Sequence, residues 1–442
     1  MTDAVKTDDA HCSFCGVEQS ASVPLIAGNE GRICEDCVTL AHQVVSSWGG
    51  RNKGQSVAES LRTPQQIKDF LDDYIIGQDN AKATLAVAAY NHYMRLLNQE
   101  SHTSLCADDY TELEKSNVLM AGPSGTGKTL LVKTLAKIIG VPIVVADATT
   151  LTQAGYVGDD ADTILQRLVE SAGGDVQLAQ WGIVYIDEID KIARSGNSAT
   201  AVRDVSGEGV QQALLKMVEG SEVRFSKSNG RQQGRDDEEK SIDTTHILFI
   251  VGGAFAGLED LISKRIKPET RSIGFQASYD DEAESEIDEL LSAMRPDDLQ
   301  TFGLIPEFIG RFPIITFLQA LDVDALLRVL QEPRNALVKQ YTKLFSYQNV
   351  DLVFTAAALK HIAQEAVDRN TGARGLRGVL ESVLRNTMFS MPSKENLQKC
   401  IVDVRTVGEK IEVFVEEIFN EGSDCIAGFS DDSPLAAIRE SS

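Results

Sequence analysis

The middle of this 442-residue chain predicts an α/β fold, a parallel sheet covered by helices on both faces. Three observations carry that expectation. From Asn117 to about 251 the chain alternates short apolar runs with amphipathic stretches, the pattern of strand–helix repeats. Residues 122–129 read GPSGTGKT, which fits the phosphate-loop pattern G-x-x-x-x-G-K-[ST]. A second apolar run, IVYIDE at 183–188, ends in two adjacent carboxylates. A phosphate loop followed by such a strand predicts an ATP or GTP hydrolase.

Taken in order, the chain opens on a cysteine cluster within about 11–47, and Gly49–Ser56 reads as a flexible linker. Thr63-Pro64 predicts a helix start, Thr as N-cap and Pro at the first helical position, with Ile67, Phe70 and Leu71 as its apolar face. A second helix is expected from Asp79 to Leu97, then a polar loop over 98–115. Val118–Ala121 predicts a strand, 127–139 a helix, Pro142–Ala146 a strand, 160–172 a helix, and 182–186 and 246–251 two further strands. Polar, acidic stretches at 226–241 and 263–289 read as loops. Beyond Phe317 helices are expected over 322–345, 355–369 and 375–390, then a strand pair at 400–404 and 410–415. That pattern is a smaller α+β domain, and the tail after 421 reads as disordered. The expected domains are therefore 1–48, a linker 49–62, 63–316, 317–420 and the tail 421–442.

Composition narrows the function classes. With 66 acidic and 42 basic residues the formal charge is -24, which argues against a nucleic-acid or anionic-membrane partner. No apolar run approaches the length of a membrane span, and the polar, acidic start MTDAVKTDDA is unlike a secretory or transit signal, so a cytoplasmic protein is expected. Four of the seven cysteines lie in the first 37 residues. They form Cys12-x₂-Cys15 and Cys34-x₂-Cys37, a spacing that fits a tetrahedral four-cysteine Zn²⁺ site. Four thiolates leave no open position for catalysis. His11 and His42, nearby, read as ordinary polar residues.

Phosphates need N–H donors and a fixed cation. Gly122, Gly125 and Gly127 let the backbone curl so that amides of the loop, which also contains Pro123, Ser124 and Thr126, face a triphosphate. Helix entry at Gly127 aims a positive end at the same anion. Lys128 neutralises the γ-phosphate, and Thr129, followed by Leu130, offers a hydroxyl to Mg²⁺. Asp187 and Glu188 close a buried strand at the edge where α/β sheets bind ligands. Asp187 is placed to hold Mg²⁺ and Glu188 to polarise the attacking water.

Longer motifs then carry a family resemblance. Gly155-Tyr156-Val157-Gly158, RDVSGEGVQQALLKMVEG at 203–220, GGAFAGL at 252–258, IGF at 273–275, GLIPEFIGRFP at 303–313 and TGARGLR at 371–377 all resemble ClpX. ClpX is the AAA+ unfoldase that feeds proteins to the ClpP peptidase, and the resemblance covers about 11–420. It implies an AAA+ P-loop module using ATP, Mg²⁺ and Zn²⁺, in a homo-oligomer, a hexameric ring. Arg311 matches the arginine finger, which acts from a neighbouring subunit, and Arg374 the nucleotide-sensing arginine of the small domain. Tyr74, Ile75 and Ile76 resemble the segment beside the adenine. Tyr156 and Val157 match the pore loop that presses on an extended substrate protein. Ile273, Gly274 and Phe275 match the loop that docks on ClpP, and the zinc domain matches the part that pairs with its own kind and receives adaptors.

The chain departs from the family in one place. Relatives carry Arg-Lys-His at the pore entrance, and the matching stretch here is Gly230-Arg231-Gln232-Gln233. Weaker selection for acidic or carboxylate-terminated tags is expected. No polar sensor is assignable at the end of strand 246–251, which runs into Val251-Gly252-Gly253. The alternatives are another AAA+ machine, such as an HslU-like unfoldase or a DNA remodeller, and a chaperone or remodelling ATPase acting without ClpP. The zinc module and the IGF loop speak against the HslU-like reading, and net acidity against DNA.

Overall fold

A computed structural model describes residues 11–18, 23–27, 31–48, 61–101, 113–151, 161–193, 207–225, 240–266, 290–369, 371–407 and 410–419. Tyr156 and Val157, expected to form a pore loop, the stretch 230–233 expected at a pore entrance, the triplet Ile273–Phe275 and the tail 421–442 lie outside them. The chain divides into two compact units, Met1–Leu321 and Asp322–Ser442.

At the start of the first unit a small hairpin pairs β1 (Leu25–Ala27) with β2 (Arg32–Cys34), followed by helix α1 (Glu35–Trp48). Helix α2 (Pro64–Asp72) begins as its sequence predicts. Thr63 Oγ1 accepts from Gln66 N at 3.3 Å, Gln66 Oε1 accepts from Thr63 N at 3.1 Å, and Pro64 needs no donor there. Helix α3 (Asp79–Ser101) outruns its expected end at Leu97 and takes in part of the stretch expected to be loop.

The five-stranded sheet of this unit comprises β3 (Val118–Ala121), β4 (Ile143–Asp147), β5 (Ile183–Asp187), β8 (Leu248–Gly253) and β9 (Ile314–Phe317). All five run parallel, in the order β4-β5-β8-β3-β9. Side chains alternate between two cores. Leu119, Val184, Ile186, Phe249 and Val251 enter one, and Val118, Met120, Ile183, Tyr185, Leu248 and Ile250 the other. This double burial explains why the strands read as continuous apolar runs rather than alternating ones. Helices α2, α3 and α4 (Lys128–Ile139) supply one core. The other draws on α5 (Ala161–Ser171), α6 (Val176–Gln180), α7 (Glu208–Glu219), α8 (Leu258–Ile266), α9 (Pro296–Phe302) and α10 (Pro306–Gly310).

Further elements of this unit depart from the sequence expectation. Edge strand β9 is additional, four residues whose pairing with β3 no local pattern announces. A hairpin of β6 (Glu222–Phe225) and β7 (Lys240–Asp243) reaches into the expected loop 226–241. Helix α8 occupies the start of the polar stretch expected from 263, because Leu258 and Ile262, one turn apart, bury together in the core.

The second unit folds α11 (Val323–Gln331), α12 (Leu337–Ser346), α13 (Ala356–Asp368) and α14 (Gly372–Ser390) with a three-stranded sheet. Its order is β10 (Asp351–Phe354), β11 (Leu397–Val407), β12 (Lys410–Phe419). The single helix expected over 322–345 is corrected to two. Pro333 has no N–H to continue the ladder, and the chain turns there, Ala336 N reaching Pro333 O at 3.0 Å. No helix among the described residues is long and apolar enough to cross a membrane.

Candidate nucleotide site and zinc centre

Strand β3, fully buried, aims the chain into Gly122–Gly127, and α4 leaves directly from Lys128. Gly127 caps that helix with φ 99° and Gly125 turns at φ 83°, left-handed values that favour glycine. Thr126 Oγ1 donates to Pro123 O at 2.9 Å, closing the loop on itself. Lys128 Nζ lies along the loop and donates to Gly122 O at 2.5 Å and Pro123 O at 2.9 Å. The loop thus carries its cation inside its own curl, where a phosphate would compete for it. Ser124 and Leu130 stand at the solvent side of this curl, Leu130 exposed.

The two sequence motifs meet. Thr129 Oγ1 donates to Asp187 Oδ2 at 2.8 Å, across 58 residues of chain. A hydroxyl and a carboxylate in contact beside a phosphate loop suit Mg²⁺, a hard cation that takes oxygen ligands. Glu188 follows at the strand tip, exposed, with φ 57°, a backbone that residues with side chains seldom adopt. Its N–H donates to Asp187 Oδ1 at 3.0 Å, which fixes the direction of the tip. The Tyr185 hydroxyl packs behind, where Gly252 makes room for it: a Cβ there would sit 2.3 Å from that oxygen. Burial, then the charge of Asp187, push the Tyr185 pKa up, so the phenol stays neutral.

The end of β8 carries no polar side chain of its own. Asp190, buried, takes that place: its Oδ1 accepts from Ala254 N at 3.0 Å and lies where a Cβ on Gly253 would be 2.6 Å away. Sequence reasoning missed Asp190. Its signal is its position, three residues after Asp187 and between the buried Ile189 and Ile192.

Arg311 stands at the other end of the sheet. Its carbonyl accepts from Asn117 Nδ2 at 2.9 Å, and Asn117 Oδ1 accepts from Phe249 N at 3.2 Å. Asn117 precedes β3, whereas the phosphate loop follows it, so Arg311 is anchored at the amino end of the strand whose carboxyl end feeds the nucleotide site. Four residues at about 3.3 Å each put roughly 13 Å of strand between these edges. The guanidinium donates to Glu219 Oε1 at 2.7 Å, both side chains about half exposed. Lys115 braces the same end of α7. Its Nζ donates to Val218 O at 3.4 Å and Thr244 O at 3.0 Å and lies 4.4 Å from the Phe249 ring centroid. Burial, then the Arg95 charge, push its pKa down to about 7. Asn117, Glu219 and Lys115 escaped sequence reading because their partners are remote in the chain.

Ile75 and Ile76 are both buried. Lys82 Nζ donates to Ile75 O at 2.8 Å and pairs with Asp72 at 2.5 Å, which locks the turn after α2. The Tyr74 ring packs tilted against Phe70, centroids 5.2 Å apart, with Lys137 Nζ 5.3 Å from the Tyr74 ring centroid. Arg374 belongs to the second unit, exposed in the first turn of α14.

In the N-terminal module the Sγ atoms of Cys12, Cys15, Cys34 and Cys37 all lie within 4.8 Å of one another. Cys15 and Cys34 Sγ are 3.6 Å apart. Zn–S bonds of about 2.3 Å in a tetrahedron demand S···S edges of about 3.8 Å, so the donor set fits zinc. Burial raises the Cys12 pKa, but N–H groups of Cys15, Phe14 and Cys34 outweigh it and bring it down to about 6, whereas hydrogen bonding with Cys15 and burial push Cys37 up to about 12, so the clustered thiols do not ionise alike without a cation among them.

A phosphate loop at the carboxyl end of β3 in a five-stranded parallel sheet, a Thr–Asp contact beside it and a small α+β unit after it define an AAA-type ATPase. Residues 113–315 match the family described as AAA domain (Cdc48 subfamily), 321–405 the C-terminal, D2-small domain of ClpB protein, and 10–47 the ClpX C4-type zinc finger. The chain is 64% identical over 399 residues, 90% of each sequence, to a protein of Azotobacter vinelandii named ATP-dependent Clp protease ATP-binding subunit ClpX. A protein of Methylococcus capsulatus named ATP-dependent Clp protease ATP-binding subunit ClpX 3 is 54% identical, over 91% of this chain and 93% of its own. A ClpX of Porphyromonas gingivalis is 46% identical, over 88% and 93%. The chain belongs to the ClpX family. It is an AAA ATPase working on ATP with Mg²⁺, and it carries a four-cysteine zinc module.

Proposed function

We propose that the chain is an ATP-driven protein unfoldase and translocase that threads substrate proteins through the pore of a cytoplasmic hexameric ring and delivers them to ClpP. The observation that supports it best is the anchoring of Arg311 at the sheet edge opposite its own phosphate loop. A finger there serves a neighbour's nucleotide, so the working site is shared and the chain works as an oligomer. Gly122–Leu130 bind the triphosphate, Lys128 neutralises its γ end, and Thr129 and Asp187 hold Mg²⁺, which withdraws charge from the phosphates. Glu188 orients the attacking water and accepts its proton. Arg311 of a neighbour stabilises charge on the transferring phosphoryl, an effect worth about 10³–10⁵ in rate elsewhere. Ile75 and Ile76 lie beside the base, and Arg374 is the nucleotide-sensing arginine that the family resemblance implies.

Tyr156 and Val157 grip substrate, and Ile273, Gly274 and Phe275 dock on ClpP. The zinc module, with 1–48 as its domain, pairs with copies of itself and receives adaptors. Residues 63–316 and 317–420 form the large and small ATPase domains. The acidic balance of the chain favours protein over nucleic-acid partners. Degradation of a folded reporter with ATP, with and without ClpP, tests the reading. Unfolding only without ClpP dependence supports a chaperone acting alone, and no unfolding refutes the proposal. Replacing Gly230–Gln233 with the Arg-Lys-His relatives' loop should strengthen selection for carboxylate-terminated tags, and unchanged tag preference would count against that part.

A further inference from the structure

Gln78 is a buried amide in an uncommon backbone. It and Gly77 take φ of 61° and 62° in succession, and a left-handed glutamine persists only where its surroundings hold it. What holds it is a two-point clamp on one residue 241 positions away. Gln78 Nε2 donates to Gln319 O at 2.9 Å, and Gln78 Oε1 accepts from Gln319 N at 2.9 Å. Gln78 is only 5% exposed, so the clamp is little weakened by competing water.

The clamped residue sits at a junction. Strand β9 ends at Phe317, and the first compact unit ends at Leu321. Leu318 and Gln319 are therefore the strut by which the sheet hands the chain on. The same strut touches the phosphate loop directly. Leu318 N donates to Ala121 O at 2.8 Å, and a Cβ on Gly122 would lie 2.6 Å from Leu318 O. Backbone meets backbone there, with no flexible side chain to absorb a shift. Gly122 O is also one of the two carbonyls that hold Lys128 Nζ. A triphosphate competes for that ammonium with an attraction between opposite full charges, which a neutral carbonyl cannot offer. Occupancy therefore alters the load on Gly122, and Gly122 bears on Leu318.

We propose that Gln78 is a positioning residue that holds the strut Leu318–Gln319 against the nucleotide site, so that occupancy of the loop is felt where the chain leaves the first unit. The inference rests on reading 122–129 as the nucleotide site. It adds a second hold, from the turn after Ile75 and Ile76, on the segment that Gly122 already contacts. Without the clamp, Gln319 is free to move independently of the loop, and the signal stops at Leu318.

The test is amide hydrogen exchange of the full chain, with and without a saturating, slowly hydrolysed ATP analogue and Mg²⁺. In the unaltered chain the analogue should slow exchange at Leu318 and Gln319 at least fivefold. In Gln78→Ala the response should fall below twofold while fluorescence titration still shows analogue binding. Gln78→Glu keeps the acceptor for Gln319 N and loses the donor to Gln319 O, and should give an intermediate response. It also serves if Gln78→Ala fails to fold. A full response in both variants, or none in the unaltered chain despite bound analogue, overturns the inference. Failure of the unaltered chain to bind the analogue at all would instead refute the nucleotide-site reading.

Discussion

The zinc module and the ATPase sheet solve the same problem with opposite materials. In the module, two of the four ligand cysteines are inside, Cys12 and Cys34 at 1% exposed, while Phe14, Ile26 and Leu40 are 74%, 62% and 60% exposed. In the sheet, hydrocarbon is inside: Val118, Leu119, Met120 and Ala121 are at most 1% exposed. The module is too short to bury a sufficient core, so ligation takes over that task and its apolar side chains face outward. The sheet has two cores, so its polar groups can stand at strand ends and bind ligands. Where a metal holds the fold, the residues that fold the module and the residues that define its site are the same four. Where a core holds the fold, the two sets separate.

Removing zinc from the full chain breaks the comparison most sharply. Ligation in such modules is worth about 10–16 kcal/mol, so chelation should expose all four thiols to alkylation while the ATPase melting transition stays in place. A shift of that transition along with the thiols would show that the two regions are not independent. The converse experiment strips function from the sheet and keeps the fold. Glu188→Gln should lower steady-state ATP turnover at least about a hundredfold with an unchanged melting temperature, as loss of general-base catalysis predicts. Next in size is Asn117→Leu, which strands Arg311 O and Phe249 N in a buried place. Urea denaturation should register a loss of roughly 2–4 kcal/mol, showing that some polar groups inside the sheet region are structural after all.

Lys115 sharpens the same point through pH. Its folded pKa, about 7, lies below the ordinary value of 10.5, so between those values the unfolded chain binds more protons. Stability should therefore rise as pH climbs from 7 toward 10, and Lys115→Met should flatten that rise in thermal melts. The smallest effect is Thr63→Ala, which removes half of a capping box and should cost about 1 kcal/mol by chemical denaturation.

Legibility in the sequence followed the range of the interactions. The four cysteines, GPSGTGKT and the Asp187-Glu188 pair were readable because each is a local cluster whose chemistry is set by spacing. The contact of Thr129 with Asp187 was implied by function and realised by a single side-chain bond. The helix start at Thr63 was readable for the same local reason. Strand β9 was not, since Ile314–Phe317 is only an edge that needs β3 beside it. The break at Pro333 was legible in principle, and periodicity across 322–345 masked it. Asn117, Asp190, Glu219 and Gln78 were silent because each is an ordinary polar residue until a remote partner is known.

In the proposed oligomer, the separation of Arg311 from its own phosphate loop would give the chain two unlike ends, one that donates a cation and one that requires it. Contacts between unlike ends are head-to-tail, and such contacts extend without limit unless the rotation closes. A defect in such an assembly has a direction. On that proposal a chain lacking Arg311 should spoil the next site and keep its own, and a chain lacking Lys128 should do the reverse. Mixing the two kinds should therefore restore some sites that neither kind possesses alone.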